Sequence, residues 1–169
     1  HGHNTILING IGALAESLFL NACWCPEPYS RATVDVEVDL RSGFTLAHNG
    51  FGRIKGLGKH VRQVGIEDDG IVVVDSVEGV GTVILETLWH FPPQFSQAAS
   101  GETTITGAEA RVTAISTTST GQEPDHQWQT YPFASAYGDE QPAPMLRLTW
   151  SVSLPCSIRT VLSVVPCAA

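Results

Sequence analysis

Charge is scarce in this chain, and positive charge is scarcer. Only 15% of its 169 residues are charged, and nine Lys and Arg stand against seventeen Asp and Glu, for a formal net charge of −8. Such a balance suits nucleic acid poorly unless the cations are gathered on one face. Long apolar runs are missing as well, and none approaches the ~18 residues that cross a bilayer as a helix. The first residues, HGHNT, lack the charged start and apolar middle of a signal peptide. The sequence therefore reads as a processed mature form or as a piece of something longer, and its start directly on a strand-like segment favours the second. No Gly-x-Ser-x-Gly elbow, phosphate loop, His-Glu-x-x-His pair or EF-hand calcium loop is present. Serine-hydrolase and nucleotide-binding functions are left without support. Helical periodicity is missing over any useful length, and no internal repeat suggests a propeller or β-helix.

Cysteine is sparse too. Cys23, Cys25, Cys156 and Cys167 are an even set, and the first two are too close to pair comfortably with each other. In an oxidising compartment they would bridge to the C-terminal pair. The alternative is that all four simply pack as thiols. A zinc site of Cys-x-Cys and two distant cysteines lacks the usual Cys-x2-Cys knuckle.

What the chain has is alternation and turns. Asn4 to Asn9 is a short apolar run closed by Asn9-Gly10, a hairpin signal. Ala15 to Asn21 reads as a strand or a brief helical turn. Cys23 to Tyr29, with Pro26 and Pro28, reads as a loop. Ala32 to Leu40 alternates Val34, Val36, Val38 and Leu40 with Asp35, Glu37 and Asp39, which predicts a half-buried strand. Phe44 to Ala47, Lys59 to Glu67, Ile71 to Val77 and Thr82 to Phe91 follow, with a turn at Asp68-Asp69-Gly70. A Thr-rich hairpin surrounds Gly107. Gln127 to Tyr131, Met145 to Leu154 and Ile158 to Val165 complete the set, the last two separated by Pro155. Ten or more short strands joined by Gly and Pro turns predict one all-β domain over 1–169. Its expected form is a large antiparallel β-sandwich, a two-sheet stack with little or no helix.

The stretch from His48 to Asp75 gathers Arg53, Lys55, Lys59 and Arg62, which with Arg41 make five of the nine basic residues. On a strand, His60 and Arg62 share a face that Lys59 does not. Together with Arg53 they are the candidate contacts for an acidic sugar, since Arg holds a carboxylate through two parallel bonds. They are equally readable as exposed charges on a sheet surface. Trp89 and Phe91 share one face and His90 takes the other, as two core aromatics and one surface or hydrogen-bonded His, or as a sugar-stacking platform. Trp128, Tyr131, Phe133 and Tyr137, beside Asp125 and His126, line a groove or plug one end of the sandwich. His1 and His3 can face one metal, or belong to an unstructured end.

Several segments taken in order resemble the C-terminal β domain of the heparinase II/III-like polysaccharide lyases. They are HNTILINGIG, HNGFGRIKGLGKHVRQV, DDGIVVVDSVEGVG, WHFPP, YGDEQPAPML and LPCSIRTVLSVV. The resemblance implies a large antiparallel sandwich that follows an (α/α) toroid in whole enzymes, and β-elimination of uronic-acid polysaccharides. In that chemistry a base takes the proton beside the carboxylate, an acid protonates the leaving oxygen, and a neutralising group stabilises the carbanion. In the family the toroid supplies a tyrosine and an Asn or His. Strands before the His-Asn-Thr motif supply a His-x-His pair and an Asp. Neither has a counterpart in this sequence, so no catalytic residue is assigned and the chain is expected to be inactive alone. The His of the His-Asn-Thr motif, a metal ligand in some members, maps onto His3. Zinc or another divalent metal would need its remaining ligands from another segment. The implied partners are an acidic polysaccharide and a toroid domain or another chain. Exposed edge strands suggest self-association, and the implied location is secreted, periplasmic or cell-surface. The alternative function is a free-standing carbohydrate-binding or surface-assembly module.

Overall fold

The computed structural model of the chain describes all residues except 1–3, 14–16, 21–22, 27–32, 40–42, 69, 99–102, 137–138 and 168–169. Within strands, the side chains of 17–20, 23–26 and 135 are also outside the description.

Strands follow one another through nearly the whole chain. They are β1 (Thr5–Ile8), β2 (Ser17–Leu20), β3 (Cys23–Pro26), β4 (Val34–Asp39), β5 (Gly43–His48) and β6 (Leu57–Glu67). Then come β7 (Gly70–His90), β8 (Ser96–Gln97), β9 (Thr104–Thr106), β10 (Ala110–Thr118), β11 (Asp125–Ala136) and β12 (Asp139–Pro166). A 3-10 turn, Gly50–Arg53, sits between β5 and β6. Every pairing is antiparallel, and ten of the strands form one continuous sheet in the order β4-β5-β6-β7-β12-β10-β9-β8, with β1 beside β7 and β11 beside β12.

That sheet folds over on itself because β7 and β12 are long and bent. Ile71 to Val77 of β7 pair with β6 and with Cys156 to Leu162 of β12. Gly81 to His90 pair instead with Met145 to Leu154, and the β1 residues Thr5 to Ile8 pair with Leu85 to Leu88. The corner lies where Gly79 (φ 152°) and Gly81 (φ 96°) face a register shift between Leu154 and Cys156 around a cis Leu154–Pro155 bond. Glycine is required at Gly79, because a Cβ there would lie 2.6 Å from the Gly56 carbonyl oxygen.

The two faces brought together make the core. Leu146, Leu148, Trp150, Val152, Leu154, Cys156 and Ile158 alternate with more exposed neighbours along β12, and all are buried. They pack with Ile6, Ile8, Leu85 and Trp89 of the smaller layer and with Val73, Val77, Ala114 and Ile105 of the larger one. Each such side chain stabilises the fold by ~1.5–3 kcal/mol. Of the buried hydroxyls, Ser116 Oγ and Thr160 Oγ1 bond each other at 2.7 Å.

The expected sandwich is therefore present, with corrections of detail. The segment read as a loop from Cys23 contains β3, which pairs with β2 as a separate two-stranded sheet. Pro26 is tolerated because it ends an edge strand, where no ladder donor is needed. Two strands expected on either side of Pro155 are one bent strand, and so are the two expected before and after Gly79. β4 is a strand, but all six of its residues are exposed, not half-buried. It lies at the end of the sheet, beyond the part that the smaller layer covers. Of the two alternatives for the cysteines, the C-terminal pair shows the second: Cys156 and Cys167 are free thiols. Cys156 packs in the core as a small apolar side chain.

A buried histidine and aspartate network as the candidate functional site

The register of three strands builds the site. His48 on β5 lies opposite His60 on β6, and Arg62 on β6 lies opposite Asp75 on β7. The period of two in a strand puts all four on the core-facing side. His60 is 4% and Asp75 1% exposed.

The hydrogen bonds run in one direction. The Gly50 N–H donates to His48 Nδ1 at 3.2 Å, so His48 carries its proton on Nε2. That proton is directed at His60 Nδ1, 2.9 Å away, which in turn leaves the His60 Nε2–H to donate to Asp75 Oδ1 at 2.7 Å. The orientation of both rings follows from the bond network. Arg62 completes the carboxylate from the other side, with Nε 2.7 Å from Oδ1 and Nη2 2.9 Å from Oδ2. Its remaining nitrogen, Nη1, donates to the Asn4 carbonyl at 2.7 Å, and its guanidinium lies 5.9 Å from the centre of the Trp89 ring. Arg62 thus ties the larger sheet to the strand that borders the smaller one.

Electrostatics fix the protonation states. Burial first, and then the electrostatic coupling to His60 and Arg62, push His48 down to about 4, so it is neutral at ordinary pH. Burial alone would raise the Asp75 carboxyl. The bonds from His60 and Arg62 outweigh it and hold Asp75 below the usual carboxylate range.

Arg53 belongs to a neighbouring clamp. Its Nη1 donates to the Ala13 and Gly50 carbonyls at 2.9 and 2.7 Å, and Nη2 donates to Gly12 at 2.7 Å. The 3-10 turn that carries it buries Phe51 beside the two imidazoles, 5.7 Å from His48 and 6.0 Å from His60. The structure therefore gathers His60 and Arg62 but turns them inward, and it places Arg53 on a separate loop junction. Lys55 and Lys59 point to solvent. Trp89 and Phe91 are core aromatics, and half-buried Trp128 packs on Phe91 at 5.8 Å. On the far face of the smaller layer the His90 ring meets Tyr131 at 4.5 Å, and the His90 N–H donates to Asn4 Oδ1 at 2.7 Å.

Sequence reading missed His48 and Asp75. A carboxylate inside the run IVVVDSV was the available signal, because a buried charge needs a cation or several donors beside it. His3, the expected metal ligand, lies outside the described residues, as does Tyr137. Among the described residues no three His, Cys, Asp or Glu side chains converge on a metal position.

The fold and this packed interior define a two-layer, all-antiparallel β domain. Residues 1–161 match the family model described as Heparinase II/III-like, C-terminal, and the chain belongs to that family. Solved structures agree at the level of the fold. A heparinase III, the BT4657 gene product, superposes with a TM-score of 0.63 at 16% identity, over 96% of this chain and 24% of its own. A mutant of the heparan sulfate lyase HepC from Pedobacter heparinus gives 0.63 at 11% identity, over 99% and 25%. Another heparinase III gives 0.62 at 12%, over 97% and 23%. The chain thus spans about a quarter of the length of the lyases it resembles. No curated protein sequence matches it.

Proposed function

We propose that residues 1–169 act as the β-sandwich part of a lyase that cleaves uronic-acid polysaccharides by β-elimination. The observation that carries this is the family match over 1–161, joined to a superposition that covers nearly all of this chain but a quarter of each lyase. In this reading the base, the acid and the carbanion-neutralising group come from outside the chain, on a helical toroid. The chain supplies a rigid wall for the polysaccharide cleft. The buried network supports that role. His60 uses both ring nitrogens internally, and the two carboxylate-facing nitrogens of Arg62 are taken by Asp75. Arg53 is spent on three backbone carbonyls. These three residues position the sheet on which sugar contacts are made. A polymeric acidic substrate places the protein outside the cytoplasm, as a secreted, periplasmic or surface protein. No helix among the described residues is long and apolar enough to cross a membrane.

The test is to incubate the chain with heparan sulfate, chondroitin and alginate and to follow the absorbance of the unsaturated product. The expected result is no turnover by the chain alone. Measurable turnover would overturn the division of labour. Retention on those polymers without turnover would favour a free-standing binding module. The coding sequence upstream of residue 1 provides the second check, with a helical toroid as the expected finding.

A further inference from the structure

β4 ends the larger sheet, and among the described residues nothing pairs with its outer edge. Its side chains sort into two rows. Val34, Val36 and Val38, 54%, 60% and 60% exposed, lie on the face that carries the core further along the sheet. Asp35, Glu37 and Asp39 occupy the opposite face. The Asn49 N–H bonds to the Thr33 carbonyl, which sets the phase of the β4–β5 ladder. In an antiparallel pair the backbone groups of alternate residues face alternate sides. The N–H and C=O groups of Val34, Val36 and Val38 therefore point outward. An exposed edge of this kind is a template for one more strand.

The charges say which strand. A second copy is disfavoured, because every antiparallel register that keeps both valine rows on the core side sets acid opposite acid. Like charges directly opposite destabilise a sheet, and each chain already carries −8. A strand with Lys or Arg between apolar residues has the reverse property, matching the valine row on one face and the acidic row on the other. Inward of β4, on the acidic face, a groove of about 450 Å³ runs across the sheet to β7, lined by Glu37, Asp39, Thr45, Gln63, Glu67, Val72 and Val74 over the paired Gly43 and Gly65. It has room for the long stems of basic side chains.

We propose that the outer edge of β4 is a docking site for an extended segment of a partner polypeptide that alternates basic and apolar residues and adds as a strand. This does not depend on the lyase reading, and its test measures no activity. Three peptides long enough to span β4 are added to the chain, and amide hydrogen exchange is followed. One alternates Lys and Val, one has the same composition in two blocks, and one alternates Glu and Val. The alternating Lys peptide is expected to slow exchange at Val34, Val36 and Val38 by about tenfold or more at saturation, and the other two are not. Asp35→Lys with Glu37→Lys should transfer the preference to the Glu peptide. Val36→Pro removes an outward donor without touching the ladder to β5, and should abolish protection. No protection by the alternating Lys peptide overturns the proposal, as does equal protection by the block peptide, which would mean general attraction to an acidic protein. Protection of β4 that grows with protein concentration alone would give the edge to a second copy, and also overturns it.

Discussion

Lowering the pH from 7 to 4.5 protonates most imidazoles of an unfolded chain, whose ordinary value is 6.5, but leaves His48 largely neutral in the fold, where it sits at about 4. The unfolded state then binds the extra proton, so stability is lost as the pH falls from 6.5 toward 4. At full strength that gap is worth ~3 kcal/mol. His48 is only partly buried, and solvent screening brings the expected effect to ~1.5 kcal/mol. The window is separate from that of Asp75, whose ordinary value is 3.8 and whose folded value is lower still. Its contribution is lost as the pH falls below 3.8. Urea unfolding of the wild type and of His48→Gln at pH 7, 6, 5 and 4.5 isolates the contribution of His48. The difference between the two proteins should shift by ~1.5 kcal/mol against the wild type across the series. Parallel stability curves would refute the assignment of His48 as a neutral link in the chain of bonds.

Three further outcomes follow from the same geometry. Asp75→Asn leaves Arg62 facing an uncharged group in the interior and should cost ~3–5 kcal/mol in chemical denaturation, against less than ~1 kcal/mol if Arg62 finds another partner. Gly43→Ala combines φ 134° with a Cβ that would collide with the Val64 carbonyl, so it should cost at least ~2 kcal/mol and speed amide exchange in β4 and β5. Trp150→Ala, which empties a site 1% exposed at the middle of the core, should cost ~3–5 kcal/mol in urea unfolding.

Much of the fold was legible because alternation is a direct record of two-sided burial. The Asn9-Gly10 turn appears with Asn9 at φ 52° and Gly10 at φ 74°, and Ile8 bonds back to Ile11 at 3.0 Å. The hairpin around Gly107 and the core positions of Trp89 and Phe91 were equally readable. Burial at the sheet's end was not. VDVEVD carries a perfect half-buried pattern, yet its valines face solvent, because alternation records which side is apolar and not whether a second layer reaches that far. Continuity of β7 and β12 was hidden by Gly79, Gly81 and Pro155, which sequence rules treat as breaks and the fold uses as bends. The site was half legible. His60 and Arg62 stood out by charge. Their partners His48 and Asp75 are 12 and 15 residues from His60 in sequence and meet it only through strand register.

The two bent strands also limit how the protein can come apart. Each of β7 and β12 contributes one half to either layer, so neither layer contains a complete set of strands that could survive alone. Peeling the smaller layer away would drag the strand halves at the centre of the larger one with it. Such a structure has no internal line of weakness, and partial unfolding should be confined to the outlying strands β4, β8 and β11. Heat and denaturant should therefore meet a single cooperative unit, with folding paced by the distant pairing of β7 with β12. A cut at the corner, between Gly79 and Gly81, would damage both layers at once.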